Sequence, residues 1–204
     1  MADKLNIPIF YACDEGFIKY TVVSLHSMMV NASPDYHYSV YVLHTGISAE
    51  TQQKMLCLAN DHFDVIFTDV SERLHAITDV LPVRDYYSNT TYFRMFIAEM
   101  FPEYDKVIYI DGDTVVQGDI SELYLTDLGD KWIGACHEQA MVQADHYGAY
   151  AEKVVGVSRH NFFNAGVLLI SAEMFRKKEI LRRFADRLAE YSFVVTQDED
   201  YLHP

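Results

Sequence analysis

The sequence has little of what stapled, fibrous or membrane-spanning chains require. Three of its 204 residues are cysteine, Cys13, Cys57 and Cys136. They are odd in number, far apart and form no CxxC pair, so neither a disulfide framework nor a thiolate zinc site is indicated. They read as free thiols in a reducing compartment. Nine glycines and five prolines exclude a collagen-like or low-complexity chain. Basic residues are scarce, 16 Lys and Arg against 30 Asp and Glu, for a net charge of −14. That balance argues against non-specific nucleic-acid binding, which rests on basic contacts to phosphate, and against a polybasic hold on anionic lipid. No apolar run approaches the ~20 residues needed to span a bilayer. The start, Met1-Ala2-Asp3-Lys4-Leu5-Asn6, lacks the basic region and apolar stretch of a secretory signal. The expected location is cytoplasmic, with at most peripheral association at the inner face of a membrane.

What is present suits a folded enzyme. Half of the residues are apolar, enough for a core without staples. Apolar runs of strand length occur at 7–13, 38–44, 64–68, 106–110, 132–136 and 165–171. Helical spacing is seen at 19–31, from a cap at Ser48 to about Asn60, from about Thr91 to Met100, and in a charged segment from Ala172 to about Glu190. Alternation of strand and helix predicts an α/β fold with a mixed, mostly parallel sheet flanked by helices. The segment from His137 to Asn161 has no clear period and reads as a lid, an acceptor loop or a disordered stretch. In such sheets ligands collect beyond the carboxyl ends of strands, so chemistry is sought just after each apolar run.

The sharpest feature there is Asp111-Gly112-Asp113, directly after Val107-Ile108-Tyr109-Ile110. Two carboxylates two residues apart are hard oxygen ligands that suit Mg²⁺ or Mn²⁺, not zinc. The intervening glycine permits a bend and a close approach. A cation seated there would draw a diphosphate into an otherwise repulsive acidic chain and stabilise it as a leaving group. The same triplet also makes an ordinary polar turn.

Its neighbours sharpen the reading. The stretch KVIYIDGDTVVQGDISELYLTDLG, the segment FFNAGVLLI at 162–170 and TQDEDYL at 196–202 follow in order. Together they resemble glycosyltransferase family 8, which includes bacterial lipopolysaccharide galactosyl- and glucosyltransferases and the glycogenins. The resemblance runs from Ile9 to His203. It implies a Rossmann-like GT-A catalytic domain over residues 1–204, a UDP-galactose or UDP-glucose donor, a saccharide or glycolipid acceptor, Mn²⁺ (or Mg²⁺), and retention of anomeric configuration. It implies that Asp111 and Asp113 ligate the metal and, with Gly112, meet the nucleotide. Tyr11, Ala12, Asp14 and Gly16 match the strand end where uracil and ribose lie. Arg94 matches an arginine near the donor phosphates, Glu138 an acidic position after the fifth strand, and Asn164 and Ala165 the segment facing the sugar. Asp198 and Glu199 match an Asp-Gln pair beside the transferring sugar and are the catalytic candidates, either as stabilisers of an oxocarbenium-like centre or as nucleophile.

The sequence also departs from the family pattern. Gly16-Phe17 stands where Asn-Tyr is usual, and Glu199 replaces the usual Gln. A third metal ligand, a His in a later His-x-x-Gly-x-x-Lys-Pro-Trp segment, has no counterpart before Pro204, so the domain is expected to lack its C-terminal portion. Two alternatives stay open. One is a non-catalytic nucleotide-sugar binding module. The other is a phosphatase with a strand-end DxD, although Thr114 directly follows the second Asp, one residue earlier than that class places it. For Asp198 the plain alternative is a carboxylate at a helix N-terminus. The nine histidines form no HxxxH or HExxH motif.

Overall fold

The computed structural model describes residues 4–75, 89–191, 195, 196 and 198–203. Six strands form one sheet: β1 (Asn6–Ala12), β2 (His37–His44), β3 (Phe63–Asp69), β4 (Lys106–Ile110), β5 (Ile133–His137) and β6 (Phe163–Ser171). Their order is β3-β2-β1-β4-β6-β5. The pairs β1–β2, β2–β3 and β1–β4 are parallel. Strand β6 runs antiparallel to both β4 and β5. This is the mixed, mostly parallel α/β sheet that the alternation of elements predicts.

Strand β1 reads as an unbroken apolar run because both its faces are covered. Ile7, Ile9 and Tyr11 join Leu25 and Met28 on one side of the sheet. Phe10 faces the other side, among Phe93, Ile97 and Phe101. Strand β4 alternates likewise: Ile108 and Ile110 on the first side, Val107 and Tyr109 on the second. The first layer is built by α1 (Ile18–Asn31), α2 (Ala49–Leu56) and α5 (Ile120–Leu125); α3 (Ser71–His75) follows β3. The second is built by α4 (Ile97–Met100), α8 (Ala172–Lys177) and α9 (Ile180–Glu190).

Several boundaries differ from the sequence expectation, each for a local reason. Ser48 caps α2 as expected, its Oγ accepting from the Thr51 N–H at 3.2 Å, but the helix ends at Leu56. The helix expected from Thr91 is instead a 3₁₀ turn, Asn89–Met95, which runs into the short α4. The charged segment 172–190 is two helices, broken where Glu179 takes φ 51°. The unpatterned stretch after β5 is ordered as α6 (Gln139–Gln143), α7 (Asp145–Tyr150) and a π turn, Ala151–Val155, closed by Gly156 at φ 87°. Arg159 fastens it, with Nε on Glu152 at 2.9 Å and Nη1 on Asp145 at 3.3 Å. The last helix is α10 (Glu199–Leu202). The polar stretch around Pro82 lies outside the described residues. Among the described residues no helix is long and apolar enough to cross a membrane.

Ser48→Ala removes the cap hydroxyl of α2 and is expected to lower stability by about 1 kcal/mol, measured by urea unfolding.

Candidate active site

Strand order reverses between β1 and β4, because β2 and β3 lie to one side of β1 and β4 to the other. That switch point opens a crevice at the carboxyl ends of the two strands. Ala12 ends β1, with Asp14 two residues on, and Asp111-Gly112-Asp113 follow β4. Because β6 is antiparallel, its amino end arrives at the same edge: the Asp111 N–H donates to Gly166 O at 2.7 Å. Strand β5 ends there too, with Glu138 next to its last residue. The 3₁₀ turn supplies Arg94 and the start of α10 supplies Asp198 and Glu199. Together these segments enclose a cavity of about 630 Å³.

Arg94 is the one Lys or Arg among the described residues that line this cavity. It is almost wholly buried, at 6% exposure. Its Nε donates to Thr91 O at 2.9 Å, its Nη1 to Ala165 O, and its Nη2 to Asp198 Oδ1 at 3.3 Å. Asp198 Oδ2 lies 2.7 Å from Nε, and Asp111 Oδ1 lies 3.7 Å from Nη1. The guanidinium also sits over the Tyr109 ring, 4.8 Å from its centroid. Burial disfavours the charge, but Asp198, Tyr109 and Asp111 outweigh it, and the Arg94 pKa is raised. Arg94 is therefore a fixed positive charge in the wall.

Burial pushes the carboxyl pKa values the other way. Asp198 and Asp111 are both raised by desolvation, against the pull of Arg94. Tyr109 donates its hydroxyl to Asp111 Oδ1 at 2.7 Å, and burial raises that phenol well above its ordinary value. Glu199 accepts the Ala165 N–H through Oε1 at 2.8 Å. Desolvation, with Asp198 adding to it, pushes Glu199 up to about 7. Glu138 is tied at both oxygens, Oε1 accepting from the Ala140 N–H at 2.9 Å and Oε2 from Asn164 Nδ2 at 2.8 Å. Asn164 Oδ1 in turn accepts from the Gly166 N–H at 2.8 Å.

Ten of the residues singled out in the sequence line the cavity: Ala12, Asp14, Arg94, Asp111, Gly112, Asp113, Glu138, Asn164, Asp198 and Glu199. Ala165 stands behind the wall and works through its backbone, holding Arg94 by its carbonyl and Glu199 by its N–H. Tyr11 and Gly16 do not line it. Tyr11 is fully buried under α1, with its hydroxyl 3.0 Å from Ser24 Oγ, because odd positions of β1 face that helix. Gly112 has a second reason to be glycine: a Cβ there would collide with Thr21 Oγ1 on α1. Tyr109, Phe17, Met141, Tyr147 and Thr196 line the cavity without having been singled out. Tyr109 read as a strand residue, and nothing in its spacing distinguishes it. His203 sits against Phe162 and Phe163, centroids 4.2 and 4.4 Å away. Burial and Arg187 push it down to about 4, so it is a neutral packing group.

Asp111 and Asp113 provide two hard oxygen donors at the cavity wall, and no cluster of three or more His, Cys, Asp or Glu suited to a metal occurs among the described residues. Such a pair would suit a magnesium-type ion that takes its remaining ligands from outside the protein. It does not fit a closed all-protein cage.

The family described as Glycosyl transferase family 8 matches residues 8–200. The Lipopolysaccharide 1,3-galactosyltransferase of Salmonella typhimurium is 27% identical over 208 residues, covering 99% of this chain and 59% of that protein. A Haemophilus influenzae relative is 27% identical over 198 residues, covering 96% and 58%. The chain thus spans under two thirds of the length of these relatives. The crystal structure of the galactosyltransferase LgtC, in complex with donor and acceptor sugar analogs, superposes with a TM-score of 0.79 at 28% identity. It covers 96% of this chain and 69% of that one. The bifunctional WbbM structure shares the fold, with a TM-score of 0.81 at 24% identity, over 98% of this chain and 37% of that one.

Two substitutions probe the site's construction. Arg94→Met leaves Asp198 buried without a counter-charge and should cost about 3–5 kcal/mol, read by denaturant unfolding. Gly112→Ala forces α1 away from the turn and should cost about 1–3 kcal/mol in the same assay.

Proposed function

We propose that this chain, which belongs to Glycosyl transferase family 8, carries the donor half of a retaining hexosyltransferase, moving galactose or glucose from a UDP-sugar to a saccharide or lipid-linked saccharide. The observation that carries this reading is the meeting of the Asp111-Gly112-Asp113 turn, Arg94 and the acidic start of α10 around one cavity at the β1/β4 switch point. The named activity of the Salmonella relative and the sugar complexes of LgtC support the choice of a hexose. Family membership leaves the phosphatase alternative without support.

Departure of the nucleotide puts positive charge on the sugar ring and negative charge on the diphosphate. Preorganised groups of opposite sign lower that barrier, because they need no reorganisation when the charge appears. Arg94 faces the diphosphate side, held rigid by Thr91, Ala165, Asp198, Asp111 and the Tyr109 ring. Asp198 supplies negative charge on the sugar side, with Glu199 beside it. Asp111 and Asp113 would hold a divalent cation, which supplies Lewis-acid stabilisation of the leaving diphosphate when bound. Ala12 and Asp14 at the end of β1 border the place for the base and ribose. Met141 and Tyr147, from α6 and α7, also line the cavity and would border an incoming acceptor.

Thermal unfolding with UDP-galactose, UDP-glucose and UDP, each with and without Mn²⁺, tests this reading. Stabilisation by a nucleotide that depends on the metal is expected; about 2.7 kcal/mol accompanies ligand at 100-fold excess over Kd. Asp113→Ala should reduce sugar transfer or donor hydrolysis about a hundred-fold, followed by release of UDP. Full turnover in EDTA contradicts the metal role. A chain that binds UDP and never turns over the sugar is a binding module.

A further inference from the structure

Among the described residues, the cavity wall carries six acidic side chains, Asp14, Asp111, Asp113, Glu138, Asp198 and Glu199, against one guanidinium. Arg94 is already committed to Asp198, with Asp111 as its second carboxylate. Glu199 is left without a cation of its own. The charged groups around it are Asp198 on the same helix, Glu138 beyond β5, and the paired Arg94 on the 3₁₀ turn. Asp200, next along α10, turns away to the Tyr150 hydroxyl at 2.7 Å. Strand β6 offers Glu199 one backbone N–H, from Ala165 to Oε1. No described residue hydrogen-bonds to Oε2.

A carboxylate in this half-buried position would add a further negative charge beside Asp198 and Glu138. A neutral carboxylic acid avoids that cost and brings an O–H donor that the carboxylate lacks. We propose that Glu199 is held as the neutral acid and donates its O–H to an oxygen of the donor hexose, so that its ionisation sets the affinity for the sugar part of the donor. The inference rests on the nucleotide-sugar reading above. It makes Glu199 a determinant of sugar binding that works in one protonation state. Burial, the leading cause, and Asp198 and Glu138 favour that state, while the Ala165 N–H and Arg94 oppose it.

The test compares wild type with Glu199→Gln, which keeps an acceptor for Ala165 and a donor but carries no titrating proton. Without ligand, the folded state holds the Glu199 proton more tightly than the unfolded chain. Wild type should therefore lose stability relative to Glu199→Gln as pH rises from 4.5 through about 7, and level off above. With Mn²⁺ present, calorimetry gives the affinity for UDP-galactose or UDP-glucose relative to UDP. In wild type that ratio should fall above neutrality, approaching about ten-fold per pH unit; in Glu199→Gln it should stay constant. A stability difference that does not change across this window overturns the inference. So does a sugar-to-UDP ratio with the same pH course in both proteins, while the function stands. If neither protein binds UDP or a UDP-sugar at any pH, the function itself fails and the donor role falls with it.

Discussion

The site depends on one buried ion pair. Arg94 and Asp198 meet at 2.7 Å, both nearly out of contact with water. Either alone would be prohibitive to bury, and together they are tolerable because Thr91 O, Ala165 O and the Tyr109 ring complete the solvation of the guanidinium. The pair joins three elements far apart in sequence: the 3₁₀ turn, the amino end of β6 and the start of α10. It fixes where the positive charge stands and, by using that charge up, decides which carboxyls must do without it. Burial raises the pKa values of Asp111 and Glu199, and the shared Arg94 opposes that rise only in part.

The sheet supplies the frame. A purely parallel sheet would bring only carboxyl ends of strands to the crevice. Reversal of β6 puts its amino end there, so Asn164 and Gly166 lie beside Asp111. Gly166 is small where it must be, since a Cβ would press on Asp111 Oδ2 at 2.9 Å. Gly112 does the same on the other side, against α1. The acidic turn is thus gripped between a strand and a helix, which holds Asp111 in place before any ligand arrives.

The ordered segment after β5 shows why absence of periodicity is a poor guide to absence of structure. Helices α6 and α7 are too short to display a repeat, and their stability comes from Glu138 at one end, Arg159 bonds at the other, and the Tyr150–Asp200 link to α10. The break at Glu179 is equally hidden, because a single left-handed residue leaves no mark on a charged, amphipathic pattern. Ser48, by contrast, announced its cap correctly, as local hydrogen bonding needs no distant partner.

Read by itself, the chain determined its strands, the α/β class, the acidic turn after β4 and most of the cavity wall, since apolar runs and the residues ending them are local properties. It could not determine that Tyr11 faces a helix and Tyr109 the site, because both are alternating strand positions and only the layer packed on each face tells them apart. Nor could it say that Arg94 would be taken by Asp198, or that Glu199 would be left with an amide and no cation. Those outcomes belong to the tertiary structure, because burial and pairing depend on which segments the fold brings within a few ångströms of each other.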